Sequence, residues 1–180
     1  MKIIFARHCE TGWNARGKVQ GRTDIPLNGK GRAQAAALAA KVAREGVTRI
    51  VASDLSRARE TAHIVGRILG VPVTADGRLR ECSFGIAEGM SVRLFVRLFG
   101  GMKRRPLRKK LRYDFRLLGG EYGPLVAVRH MQAVFDIIRQ GPGDAAVMLI
   151  GHGRGMRTLF AALGIEDDDP PQGDYFVITF

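Results

Sequence analysis

Arg7 and His8 stand side by side directly after a short apolar run, and three distant pieces of the chain complement them. These are Arg57 in SDLSRARETA, Glu81 in RLRECSFG and His152 in VMLIGHG. Together they form a set able to move a phosphoryl group. Such a transfer needs a nucleophile, charge on the equatorial oxygens and a proton for the departing oxygen. A neutral imidazole at His8 is a competent nucleophile and leaves a covalent intermediate for water to hydrolyse. Arg7 and Arg57 offer forked donors that lysine matches poorly. His152, if protonated, adds a third positive donor. Glu81 is the candidate general acid, and afterwards the base that prepares water. The four histidines lack zinc spacing and there is no Gly-rich Lys-Ser/Thr loop, so neither metal nor cofactor is expected.

The elements around these residues explain how they could meet. KIIFA at 2–6, TRIVASD at 48–54, AAVMLIGH at 145–152 and YFVITF at 175–180 read as strands, with a short one at 72–75. Helical patterns cover 28–45, 56–69, about 121–140 and GMRTLFAALG at 155–164. Alternating strands and helices predict a three-layer α/β/α sandwich with a mainly parallel sheet. Ligands bind beyond the carboxyl ends of such strands, where Arg7-His8, Arg57 and His152 all fall.

With those motifs in place, the chain resembles the histidine phosphatase superfamily, the phosphoglycerate mutase-like family, along nearly its whole length. ARHCETGWN is similar to the family's Arg-His-Gly-Glu-Thr-x-x-Asn opening, and VQGRTDIPLNGKGRAQA to the segment after it. SDLSRARETA, LRECSFGIAEG and IGHG resemble its second arginine, acid and second histidine motifs, and GGEY its Gly-Gly-Glu-Ser. The resemblance implies that His8 is phosphorylated, that Arg7, Arg57 and His152 hold the phosphate, and that Glu81 donates the proton. It adds Asn14, Gln20, Gly21 and Gly153 as phosphate contacts. Cys9 stands in place of the family's glycine after the nucleophile, Tyr122 replaces its serine, and Arg154 follows the second histidine motif. If position 9 takes a left-handed φ, its side chain costs ~1–2 kcal/mol of strain. Slower or narrower chemistry is the expected consequence.

Composition bounds the rest. A chain of 180 residues with 46% apolar content fits one soluble domain over 1–180 with a substantial core. Its apolar N-terminal stretch is too short for a signal peptide, and two cysteines make no disulfide framework, so a cytoplasmic location is expected. The net charge of +12 is concentrated. Between Ser91 and Leu118 ten basic residues face only Asp114, within a segment of about 85–118 that breaks the α/β alternation. In the family this region is a cap over the site. A basic helical cap there reads first as a helix packed on the core with solvated charges, and next as a positive mouth that recruits an anionic substrate. Peripheral contact with an anionic membrane is less favoured, and nucleic acid least, since no reader motif accompanies the charge. His63 and His130 lie inside helical patterns and read as packing or surface residues. The expected activity is metal-independent hydrolysis of a small anionic phosphomonoester through a phosphohistidine. A cofactor-dependent phosphoglycerate mutase, a phosphohistidine-protein phosphatase and a non-catalytic member binding phospholigands or membranes stay open, and the sequence sets no oligomeric state.

Overall fold

The computed structural model describes residues 1–99, 113–140, 145–165 and 170–180. A five-stranded sheet forms its middle layer, built from β1 (Lys2–Arg7), β2 (Val47–Ala52), β3 (Val73–Ala75), β4 (Ala146–Gly151) and β5 (Tyr175–Thr179). The strand order is β3-β2-β4-β1-β5, parallel throughout except for β5, which runs antiparallel along β1 at one edge. Among the described residues the α-helices are α1 (Gly12–Ala15), α2 (Gly29–Val42), α3 (Ser56–Leu69), α4 (Val92–Phe99), α5 (Gly123–Gln140) and α6 (Gly153–Ala162).

Two-residue alternation in the strands assigns each side chain to a layer. Ile3, Phe5, Val147 and Leu149 face one side, packed with Ala133, Val134 and Ile137 of α5 and Met156, Leu159 and Phe160 of α6. Ile4, Ala6, Met148 and Ile150 face the other, against Leu38, Ala39 and Val42 of α2 and Ala58, Ala62 and Val65 of α3. Both faces are covered, which is why β1 and β4 read as continuous apolar runs. The three-layer sandwich expected from the sequence is therefore present. The helix over 56–69 ends where Gly70 takes φ 69°, a left-handed stop without penalty for a residue lacking Cβ.

Register fixes the site. Arg7 pairs with Gly151 across β1 and β4, and Ala52 with Ile150 across β2 and β4. His8 N–H donates to the Gly151 carbonyl at 3.0 Å, so the chain still runs alongside β4 as it leaves β1. The segments carrying Arg7-His8, Arg57 and His152 thus leave the sheet at one edge.

Beyond that edge lies a third, aromatic cluster outside the sandwich. Phe84, Phe95, Tyr113 and Phe115 pack there with Val19, Cys82, Ala87 and Val126. Phe84 meets Phe95 and Phe115 edge-on, with ring centroids 5.3 and 5.2 Å apart. Helix α4 joins this cluster through buried Phe95, while Leu94 and Leu98 stay exposed. Lys103, Arg104, Arg105, Arg108, Lys109, Lys110 and Arg112 of the expected basic cap lie outside the described residues. Among the described residues no helix is long and apolar enough to cross a membrane.

Candidate active site

A cavity of about 230 Å³ opens beyond the carboxyl ends of β1 and β4. Arg7, His8, Asn14, Gln20, Gly21, Arg57, Glu81 and Gly153 line it, so eight of the nine expected site residues share one space. The ninth, His152, is fully buried behind them, its ring centroid 5.1 Å from that of His8. On the other side Val92, Phe95 and Val96 of α4 supply an apolar wall.

His8 is held in one tautomer. Its Nδ1 lies 2.8 Å from the Cys9 carbonyl oxygen, which accepts only, so Nδ1 carries the proton and Nε2 keeps its lone pair. Burial first, then Arg57 and Arg7, push its pKa well below the usual imidazole range. A neutral ring with a free Nε2 is the nucleophilic form.

Arg57 is 1% exposed and acts as a hub. Its Nη2 donates to the Gly21 carbonyl at 2.7 Å, its Nη1 to the Thr23 carbonyl at 3.0 Å, and its Nε to His152 Nδ1 at 3.3 Å. Gly21 takes φ 57° there, and an added Cβ would collide with the Glu88 carboxylate and the Phe84 ring. Burial lowers the Arg57 pKa to about 10, partly offset by Glu81, Asp24 and Glu88, so it remains a cation at neutral pH. The bond from Arg57 assigns the other histidine as well: His152 accepts at Nδ1 and so carries its proton on Nε2. Burial, Arg57 and His8 hold its pKa well below the ordinary value. The condition under which His152 would be a positive donor is therefore not met. The ring is a neutral donor, because a cation buried beside Arg57 would be uncompensated.

Glu81 caps helix α6 from another segment. Its Oε1 accepts from the backbone N–H groups of Cys82 (2.9 Å) and Gly155 (2.8 Å), and its Oε2 from that of Arg154 (3.1 Å). Helix N-termini leave such donors unpaired, and here a carboxylate satisfies two of them. Gly155 is required where it stands, since a Cβ would press on the His130 ring.

The two side-chain amides are also oriented. Asn14 Oδ1 accepts from Thr11 N–H (3.1 Å) and from Gln172 Nε2 (2.7 Å), and Gln20 Oε1 lies 3.0 Å from the Thr11 hydroxyl. Their oxygens are engaged, which leaves their NH₂ groups as the donors for the cavity. Three supporting residues are not legible in the sequence. Gln172 comes from the loop before β5, 158 positions from Asn14. Arg129 of α5 donates to the carbonyls of Arg78, Arg80 and Glu81, at 2.6, 2.6 and 3.0 Å, and so fixes the segment that presents Glu81. Glu88 accepts from the backbone N–H groups of Arg22, Thr23 and Phe84. In the sequence Arg129 is one more polar residue of a helix and Gln172 one of a loop.

Cys9 carries none of the strain expected of it. Among the described residues no side-chain-bearing residue has a positive φ, so Cys9 costs no backbone strain. Its thiol is fully buried in a small cluster with Leu27 and Ala35. Burial pushes its pKa up to about 11, and that of Cys82 to about 12. Both are free thiols and neither forms a ready thiolate.

Three histidines, His8, His130 and His152, are therefore buried and neutral, His130 with its pKa lowered to about 3 by burial and Arg129. Below their unfolded value of 6.5 the unfolded chain binds protons that the folded chain does not. Stability is thus fully present above pH 6.5 and is lost as the pH falls toward the folded values. Each histidine contributes a slope of up to about 1.4 kcal/mol per pH unit. Urea unfolding at pH 7.5, 6.5 and 5.5 should show a fall of about 1 kcal/mol in the first interval and about three times that in the second. A flat profile down to pH 5.5 would contradict the buried neutral state.

Comparisons with known proteins show the family. The family model "Histidine phosphatase superfamily (branch 1)" matches residues 3–175. The chain belongs to that superfamily and is an enzyme of the histidine-type class. Among its relatives, "Probable phosphoglycerate mutase GpmB" of Salmonella paratyphi A is 31% identical over 163 residues, 91% of this chain and 74% of that protein. A mycobacterial glucosyl-3-phosphoglycerate phosphatase solved with VO3 is 32% identical, with a TM-score of 0.79, covering 90% of this chain and 81% of that one. Bacillus stearothermophilus YhfR is 29% identical, with a TM-score of 0.80, covering 98% and 89%.

Proposed function

We propose that this chain is a phosphatase that hydrolyses small anionic phosphomonoesters through a phosphohistidine at His8 Nε2, with segment 85–118 as the cap of a single domain. The observation that carries the reading is the tautomer of His8, with its lone pair at Nε2 in a cavity lined by Arg7 and Arg57. Nε2 attacks phosphorus while the bond to the ester oxygen breaks, and the departing oxygen takes a proton from Glu81. Glu81 Oε1 accepts two backbone N–H groups and Oε2 only one, so Oε2 has the acceptor position left for that proton. Arg7, Arg57, the Asn14 and Gln20 amides and the Nε2–H of His152 neutralise the oxygens in flight. In the second half Glu81 takes the proton of water, water attacks phosphorus, and inorganic phosphate leaves with the His8–phosphorus bond broken.

A mutase would use the same residues but pass the phosphoryl group to a second acceptor, and the likeness to a probable phosphoglycerate mutase keeps that reading as the rival. The discriminating experiment follows the fate of a labelled phosphoryl group from a panel of phosphomonoesters, 3-phosphoglycerate included, with and without a bisphosphorylated primer. The phosphatase reading expects inorganic phosphate in step with substrate loss and no dependence on primer. Primer-dependent isomerisation with little phosphate release would replace it with the mutase.

A further inference from the structure

Three cations on the cavity wall, Lys18, Arg154 and Arg157, are not used by the chemistry above, and two of them are held in the same way. Arg154 follows Gly153 at the start of α6, and Lys18 lies between α1 and Val19; both line the cavity that holds His8. Among the described residues neither is paired with a carboxylate. Each is held over an aromatic face instead. The Arg154 guanidinium stands 5.1 Å from the Tyr113 ring centroid, and Lys18 Nζ stands 5.5 Å from that of Trp13. An aromatic face positions a cation while leaving its charge uncancelled, whereas an ion pair would neutralise it. The platform under Arg154 is rigid. Tyr113 is 1% exposed, its hydroxyl is 3.0 Å from Thr158 Oγ1, and Thr158 Oγ1 donates to the Arg154 carbonyl at 2.7 Å. Phe84, Val92 and Phe95 line the same cavity of about 230 Å³ and offer an apolar surface suited to a short carbon skeleton.

Resting on the phosphatase reading, we infer that Arg154, assisted by Lys18, binds a second anionic group, a carboxylate or a phosphate, on the alcohol portion of the substrate. The cavity would then select phosphomonoesters charged at both ends over those with a neutral alcohol. A residue that binds this remote group acts in ground state and transition state alike, so its loss raises KM more than it lowers kcat.

The test compares two substrate pairs, phospholactate with isopropyl phosphate and propane-1,3-diyl bisphosphate with propyl phosphate, in wild type, Arg154→Gln and Lys18→Gln. Each pair differs only by the second anion, and dividing the mutant ratio by the wild-type ratio cancels leaving-group differences. Arg154→Gln keeps the backbone N–H that serves Glu81, and its turnover of the uncharged esters reports folding. Expected is a fall of tenfold or more, through KM, in the charged-to-neutral ratio of kcat/KM for at least one pair in Arg154→Gln, with a smaller fall in Lys18→Gln. Any smaller change in both pairs for Arg154→Gln overturns the inference while leaving the phosphatase reading intact. If wild type hydrolyses none of the four esters, the phosphatase reading falls instead, and the same tenfold criterion is applied to their dissociation constants by calorimetry.

Discussion

His8→Asn should lose at least about four orders of magnitude in turnover, since removing a nucleophile costs on that scale in enzymes whose catalytic groups act as a unit. The variant should also take up no acid-labile, base-stable phosphate when quenched during turnover. Asparagine is the informative replacement because it is close in size and can still donate to the Cys9 carbonyl, which His8 Nδ1 now does at 2.8 Å. Side-chain burial is kept in a position that is only 3% exposed. Arg7, Arg57, Asn14 and Gln20 stay in place, so the variant should retain affinity for inorganic phosphate, measured by calorimetry. That combination separates a lost nucleophile from a collapsed site. Acid-labile labelling in a folded His8→Asn protein would move the covalent step to another residue.

Much of this arrangement is legible in the amino-acid sequence, and the reason is local. The strands β1 and β4 are buried on both faces, so their sequences are unbroken apolar runs ending at Arg7-His8 and His152. The helix over 56–69 carries its stop in Gly70, and its bounds match the sequence reading. Chemistry-bearing residues at the ends of such elements are readable because the parallel topology sends those ends to one edge. What stays hidden is non-local or electrostatic. Nothing near Asn14 announces Gln172 as its partner, and Arg129 holds Glu81 from a helix 48 positions further along the chain. Residue types alone leave the charge of His152 open, whereas burial beside Arg57 keeps the ring neutral. At Cys9, departure from a glycine motif suggests strain, yet the backbone at that position needs no glycine. The seven basic residues between Lys103 and Arg112 supply much of the charge of the expected cap and lie outside the described residues.

Arg57→Met should damage the protein in three separable ways, because one buried guanidinium serves three structures. The first is the phosphate site. Loss of a buried charged donor to the transferring oxygens is expected to cost about 10³-fold in kcat/KM, comparable to removal of an oxyanion-hole donor. The second is the fold. Without Nη1 and Nη2 the carbonyls of Thr23 and Gly21 lose their partners, and His152 Nδ1 loses the donor that fixes its tautomer. Buried acceptors left unpaired cost about 1–3 kcal/mol each, so the melting temperature should drop by several degrees. Arg57→Lys should recover only part of either loss, since one ammonium cannot span two carbonyls, an imidazole and a phosphoryl group. The third consequence concerns proton affinity and distinguishes Arg57 from a merely structural residue. After burial, Arg57 is the largest influence lowering the pKa of both His8 and His152. Removing that positive charge favours the imidazolium, so the His8 pKa rises and its nucleophilic form is lost at a higher pH than in wild type. The acid limb of the residual pH–kcat/KM profile should therefore shift upward in Arg57→Met and much less in Arg57→Lys, where the positive charge remains. A residual profile whose acid limb stays at the wild-type pH in both variants would show that the charge of Arg57 does not set the protonation of the nucleophile.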